Sequence, residues 1–259
     1  MQGRVAIGLA LSGAALAVAC GAGGSTMDAA APDWVVRTRA PRASSPGRPP
    51  LLVLLHGIGT DENDLFPVAD LLDPRFQVVS LRAPGAYVMG HSWFHIEFGR
   101  DGTIVPDVAG ARRTLAELRR WLTAAPARFG TDPGRTVLLG FSQGAMMSLG
   151  VVRTEPVLTF AVVALSGRAP GDLFPPAATA AAVAAVPLFV GHGLYDDVLP
   201  VAQGRATREA FAGGADVTYR EYPVAHGITD AELRDVAAWL TARLDGRRQA
   251  RSANSADDK

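Results

Sequence analysis

The sequence predicts an α/β fold in which a mostly parallel central sheet carries helices on both faces, and three observations lead there. Short β-branched and aliphatic runs at residues 51–55, 136–139 and 161–165 end at histidine, glycine or serine, the pattern of strands buried on both sides in a parallel sheet. Between such runs apolar residues recur at helical spacing, as Ala111, Leu115, Leu118 and Leu122 do. The chain has 259 residues, 48% of them hydrophobic, which is enough for one large core.

Taken in order, the chain opens with Arg4 and an apolar run from Val5 to Ala19 that closes on Ala17-Val18-Ala19, the pattern of a secretory signal over residues 1–19. The run is shorter than the roughly 20 residues a membrane-spanning helix needs. Cys20, the only cysteine, follows directly, with Leu16 four places before it. The segment resembles a bacterial lipoprotein signal, in which that cysteine takes the lipid and becomes the mature N-terminus. It departs at Ala17, where leucine is usual, so an ordinary cleavage site beside a small apolar residue stays open. Either reading implies export, as a membrane-anchored lipoprotein or as a periplasmic or secreted protein. With no second cysteine, the domain stands without an internal disulfide.

Residues 20–49 are rich in Gly, Ala, Ser and Pro and read as a tether, apart from 34–38, which reads as an edge strand. The main folded domain is expected over 50–245. It begins with the strand 51–55, which runs into His56-Gly57-Ile58-Gly59-Thr60, a loop that puts backbone N–H groups at the carboxyl edge of the sheet. The next strand is 76–81, and its loop carries Trp93-Phe94, a pair that by itself reads as core packing. A helix over 111–122 shows arginines on an outer, solvated face. Residues 136–152 read as strand, corner and helix, with Ser142 at the corner. Strands follow at 161–165, 188–190 and 216–222. Residues 175–185, alanine-rich and framed by prolines, read as a surface helix without an assigned role. The last helix, 229–244, opens on a Thr229-x-x-Glu232 capping box and lines up Leu233, Val236, Leu240 and Leu244. From Gly246 the polar tail is expected to be disordered.

The chemistry centres on Ser142. Gly140 and Gly144 flank it at two residues on either side, and the Gly-x-Ser-x-Gly pattern between a strand and a helix is that of a nucleophile elbow. Serine is a weak nucleophile at neutral pH and needs a base and an orienting acid. Asp196 lies in the loop after one strand and His226 between the last strand and the last helix, so all three belong to the same sheet edge. Net charge is zero and no basic stripe appears, so no nucleic-acid partner is expected.

Together these residues resemble the phospholipase/carboxylesterase family of α/β-hydrolases, related to acyl-protein thioesterases, over roughly residues 50–244. The matching segments are Leu55-His56-Gly57-Ile58-Gly59, Ser92-Trp93-Phe94, Gly140-Phe141-Ser142-Gln143-Gly144, Leu165-Ser166-Gly167, His192-Gly193-x-x-Asp196 and His226-Gly227. The resemblance implies the α/β-hydrolase fold, Ser142 as nucleophile, His226 as base and Asp196 as its orienter. It implies the backbone N–H groups of Ile58 and Gln143 as oxyanion hole, and it raises Trp93 to a pocket wall. Where the family usually has proline after the aspartate, this chain has Asp197; spacing from His192-Gly193 favours Asp196 over it.

The activity so implied is cleavage of carboxylic esters, in small molecules or lipids, with no metal or cofactor. Thioester cleavage is an alternative within the same chemistry. An exported binding protein that keeps the fold without turnover is the alternative of another class.

Overall fold

The computed structural model describes residues 30–100, 103–213 and 216–256. The expected signal at 1–19, the acceptor Cys20 and the tether up to 29 lie outside the described residues.

In chain order the strands are β1 (Val36–Arg39), β2 (Leu51–Leu55), β3 (Gln77–Leu81), β4 (Gly85–Tyr87), β5 (Gly90–Ser92), β6 (Ile96–Phe98), β7 (Ile104–Pro106), β8 (Thr136–Phe141), β9 (Ala161–Leu165), β10 (Leu188–Gly193) and β11 (Val217–Tyr222). The helices are α1 (Val108–Phe129), α2 (Gln143–Thr154), α3 (Ala180–Ala184), α4 (Val201–Ala212) and α5 (Asp230–Ala256), with a 3-10 turn at Phe66–Leu71. Among the described residues seven strands form the central sheet in the order β1-β3-β2-β8-β9-β10-β11. Of these seven, β1 alone runs antiparallel, at the edge beside β3. The strand expected at 34–38 is this edge strand, beginning at Val36 and ending at Arg39.

The mostly parallel sheet has the two-sided burial that continuous apolar strands require. Along β2 side chains alternate between two cores. Leu51, Val53 and Leu55 join Leu115, Leu118, Trp121 and Met147 of α1 and α2. Leu52 and Leu54 join Val236, Leu240 and Leu244 of α5. In the middle of the sheet Val53 sits between Val79 of β3 and Leu138 of β8.

Three departures from expectation have physical causes. The arginines of α1 lie on its outer face but do more than meet solvent: Arg112 Nε donates to the Leu173 carbonyl at 2.8 Å and Arg119 pairs with Glu155, so both tether neighbouring segments. Helix α4 escapes hydrophobic periodicity because its buried stripe is Gly204, Thr207 and Phe211, which is only partly apolar. Helix α5 continues to Ala256, past Leu244 and into the expected disordered tail, through Arg247, Arg248, Gln249, Ala250 and Arg251, all residues of high helix propensity. The alanine-rich segment at 175–185 does hold a short exposed helix, α3, capped by Thr179.

Two small hairpins cover the carboxyl edge of the sheet. The β4–β5 hairpin is stitched to the loop after β2, with Gly59 N donating to His91 O and His91 N to Thr60 O, both at 2.8 Å. The β6–β7 hairpin leads directly into α1, whose first turn Asp107 caps by accepting from Gly110 N at 2.9 Å.

Candidate active site

Strand β8 ends and α2 begins within one residue, and the backbone at that corner is strained. Ser142 has φ 52° and ψ −115°, a conformation a non-glycine residue rarely adopts. Its N–H is satisfied by the Leu165 carbonyl at 2.9 Å. Close approach explains the flanking glycines. A Cβ on Gly144 would overlap the Leu55 carbonyl, and one on Gly140 would overlap the backbone of Gly144. The corner therefore lifts the Ser142 side chain to the top of the sheet while its neighbours pack flat beneath it.

The other two groups arrive from loops far along the chain. Asp196 lies after β10 with its side chain fully buried. One carboxylate oxygen accepts from Val198 N at 3.0 Å and Leu199 N at 2.8 Å, which leaves the other for His226 Nδ1 at 2.8 Å. His226 Nε2 in turn lies 3.0 Å from Ser142 Oγ. Its ring rests on Phe141, with centroids 4.9 Å apart. Asp197 is exposed to solvent, so the carboxylate that meets the histidine is Asp196. The two loops are joined by backbone bonds from Leu194 N to Tyr222 O at 2.8 Å and from Tyr195 N to Val224 O at 3.0 Å.

Behind the aspartate sits His192, wholly buried, with Nε2 2.7 Å from the Leu199 carbonyl and 3.5 Å from Asp196 Oδ2. A carbonyl only accepts, so Nε2 carries the proton. Behind the His226 loop, Thr229 Oγ1 accepts from Glu232 N at 3.0 Å, which closes the forward half of the capping box. Glu232 is buried against Gly191; burial pushes its carboxyl up to about 7, the Thr229 N–H opposing this only in part.

The loop after β2 is braced by His56, whose Nε2 accepts from Ala83 N at 3.0 Å while Nδ1 donates to Gly57 O at 2.6 Å. Burial, first among the causes, pushes this imidazole below its usual range, as suits a neutral ring with a defined tautomer. The amide of Gln143 clamps the opposite loop, accepting from Trp93 N at 2.8 Å and donating to Phe94 O at 2.7 Å.

A cavity of about 110 Å³ opens beside Ser142, lined by Ile58, Gln143, Phe94, Ile104, Met146 and Arg168 among others. Among the described residues, neither the Ile58 nor the Gln143 N–H donates to a backbone carbonyl. Trp93 does not line this cavity. It is 1% exposed, its indole N–H donates to His56 O at 2.9 Å, and its ring meets Trp34 edge-on at 5.7 Å. An indole so hydrogen-bonded supports the loop from below, and its neighbour Phe94 reaches the cavity in its place. Sequence reading missed Phe94, Met146 and Arg168. For Phe94 the signal was adjacency to Trp93, whereas nothing local marks the other two.

Comparison with known proteins agrees with this architecture. The chain is 30% identical to acyl-protein thioesterase 1 of Debaryomyces hansenii over 171 residues, covering 64% of this chain and 73% of that one. It is 31% identical to esterase YpfH of Escherichia coli over 183 residues, covering 67% and 75%. Among solved structures it is similar to the carboxylesterase of Bacillus cereus, with TM-score 0.71 and 21% identity over 82% of this chain and 95% of that one, a likeness of fold. It is also similar to esterase PE8, with TM-score 0.67 and 30% identity over 81% and 97%. The family model for phospholipases and carboxylesterases matches residues 42–244, and the chain belongs to that family of α/β-hydrolases.

Proposed function

We propose that this chain hydrolyses carboxylic esters through an acyl-enzyme on Ser142, with His226 as general base and acid and Asp196 as its orienter. The observation that carries the reading is the unbroken line of hydrogen-bond contacts from Ser142 Oγ through the His226 ring to Asp196, 3.0 Å and 2.8 Å long. In the first step Oγ attacks the ester carbonyl carbon as His226 Nε2 takes its proton. The oxyanion is held by the N–H groups of Ile58 and Gln143, and the proton passes to the departing alkoxide. Asp196 accepts from Nδ1, which keeps Nε2 free to receive a proton. Water, deprotonated by the same Nε2, then releases the acid. Thioesters would follow the same steps, and the yeast relatives' name favours testing them alongside oxyesters.

Ser142→Ala is expected to lower kcat on a p-nitrophenyl ester by a factor on the order of 10⁶ with the fold intact. A fluorophosphonate probe should label the wild type at Ser142 and spare the variant. Turnover that survives in a folded alanine variant would sink the serine-hydrolase reading and revive the binding-protein alternative.

We further propose that residues 1–19 direct export and that Cys20 carries a lipid anchor, a reading supported by the order of charge, apolar run and small residues there. The full-length protein should partition into a detergent phase, and Cys20→Ser should return it to the aqueous phase. A mature N-terminus found unmodified by mass spectrometry reduces the proposal to simple export.

A further inference from the structure

Among the described residues that line the cavity beside Ser142, Arg168 is the only charged one. It stands three residues past the end of β9, where Ser166 N donates to the Gly191 carbonyl at 2.9 Å and fixes the backbone at the carboxyl edge of the sheet. A cation set in a wall of Ile58, Phe94, Ile104 and Met146 is costly unless paired, and its pairing here is one-sided.

Asp172 takes the guanidinium end-on: Nη1 donates to Oδ1 at 2.7 Å and Nη2 to Oδ2 at 2.8 Å. The other Nη1 proton reaches the Ala169 carbonyl at 3.3 Å. A guanidinium has five N–H donors. That arrangement leaves the Nε–H and the second Nη2 proton, which together form the side-on edge, with no acceptor among the described residues. Two parallel N–H groups on one edge match the oxygen spacing of a carboxylate or a phosphate. Asp172 is half exposed, at 53%, so solvent screens much of its charge from the far edge. Its larger effect is to hold a flexible side chain in one orientation, which lowers the cost of ordering it when a ligand binds.

Cavity size supplies the reach. At about 110 Å³ the space is well below the roughly 300–1,000 Å³ of pockets for drug-sized ligands, so an ester carbonyl seated at Ser142 brings the rest of a compact substrate close to Arg168.

We propose that Arg168 is a specificity residue that selects esters bearing a carboxylate or phosphate close to the scissile bond, received bidentately on its Nε–Nη2 edge. This rests on the ester-hydrolase reading above and names the class of substrate for the same site.

The test compares kcat/KM for meta-acetoxybenzoate, its methyl ester and meta-acetoxyphenyl phosphate. Taking the ratio of each anionic ester to the neutral one, wild type against variant, cancels their intrinsic reactivities. Arg168→Gln should lower at least one anionic ratio about tenfold, the effect of losing a hydrogen-bonded charge pair that solvent partly screens. Arg168→Lys, which keeps the charge and loses the fork, should fall in between. Whichever anionic ester loses more identifies carboxylate or phosphate as the ligand. Ratios equal in wild type and a folded Arg168→Gln overturn the proposal.

Should Arg168→Gln fail to fold, the wild type alone decides. At least one anionic ratio should fall as NaCl is raised, and benzoate should inhibit hydrolysis of the neutral ester competitively and less strongly in salt. Ratios indifferent to salt, with no inhibition by benzoate, overturn it as well. Wild type that cleaves the neutral ester without discrimination fails this inference alone, whereas wild type that cleaves none of the three fails the ester-hydrolase reading and the inference with it.

Discussion

The two halves of the site are held by different forces. The elbow at Ser142 is a matter of backbone sterics: Gly140 lets strand, corner and helix approach more closely than any Cβ allows, Gly144 does the same against the end of β2, and both glycines lie in a single local segment. The Asp196 and His226 half is a matter of hydrogen bonds between two loops 30 residues apart in sequence, backed by the buried His192 on one side and the buried Glu232 on the other. A steric device tolerates no added atom and is indifferent to pH. A hydrogen-bonded one keeps its shape when atoms are swapped for isosteres but changes its chemistry, and it answers to protonation.

The largest effect that sharpens this contrast is expected at the acid. Asp196→Asn preserves shape but offers an amide that can turn a donor toward His226 Nδ1, favouring the wrong tautomer, with a loss of about 10⁴ in kcat near neutral pH. Asp197→Asn, at an exposed position, should keep most activity. Circular dichroism should show both variants folded, and kcat on one ester with the opposite pattern would break the assignment.

Gly144→Ala should do the reverse, acting on the fold before the chemistry. One methyl group has only backbone to displace, the Leu55 and His56 carbonyls, so a stability loss of about 3 kcal/mol or more is expected from denaturant unfolding. A variant of wild-type stability would show that the elbow is less tightly packed than the strand-to-helix geometry requires.

The smallest effect concerns Glu232. Its folded carboxyl, raised to about 7 from an ordinary 4.5, binds a proton more tightly than in the unfolded chain. That contribution to stability is fully present below about pH 4.5 and is lost as pH rises through about 7, a total of roughly 3 kcal/mol at the limit. Glu232→Gln, neutral at every pH, should flatten the slope of unfolding free energy between pH 5 and 7 relative to wild type. Equal slopes in the two proteins would place the source of any pH dependence elsewhere.

How much was legible follows the same division. Ser142 could be read because its requirement is local: two glycines at fixed spacing between an apolar strand and a helical pattern. His226 could be read from its place between the last strand and the last helix. The choice of Asp196 over Asp197 rested on spacing, because adjacent aspartates differ only in which way a loop turns. Trp93 was read as a pocket wall through resemblance, yet its N–H reaches inward to the His56 carbonyl and turns the ring away from the cavity. Arg168 carried no signal, since an arginine after Leu-Ser-Gly looks like any surface cation until Asp172 and the cavity are placed around it.

By itself the sequence determined the alternation of buried strands and amphipathic helices and the elbow, because each of these is written in spacing within a few residues, and it placed Ser142, Asp196 and His226 each after a strand by the pattern around it. Tertiary structure decided what no local window holds: that β1 closes one edge of the sheet antiparallel, that α4 packs through Gly204 and Thr207, and that Asp196 and His226 meet across two loops. The physical reason is range. Sterics and periodicity act between near neighbours in the chain, whereas a hydrogen bond between residues 84 apart, such as that of Ser142 with His226, exists only once the sheet has set its loops side by side.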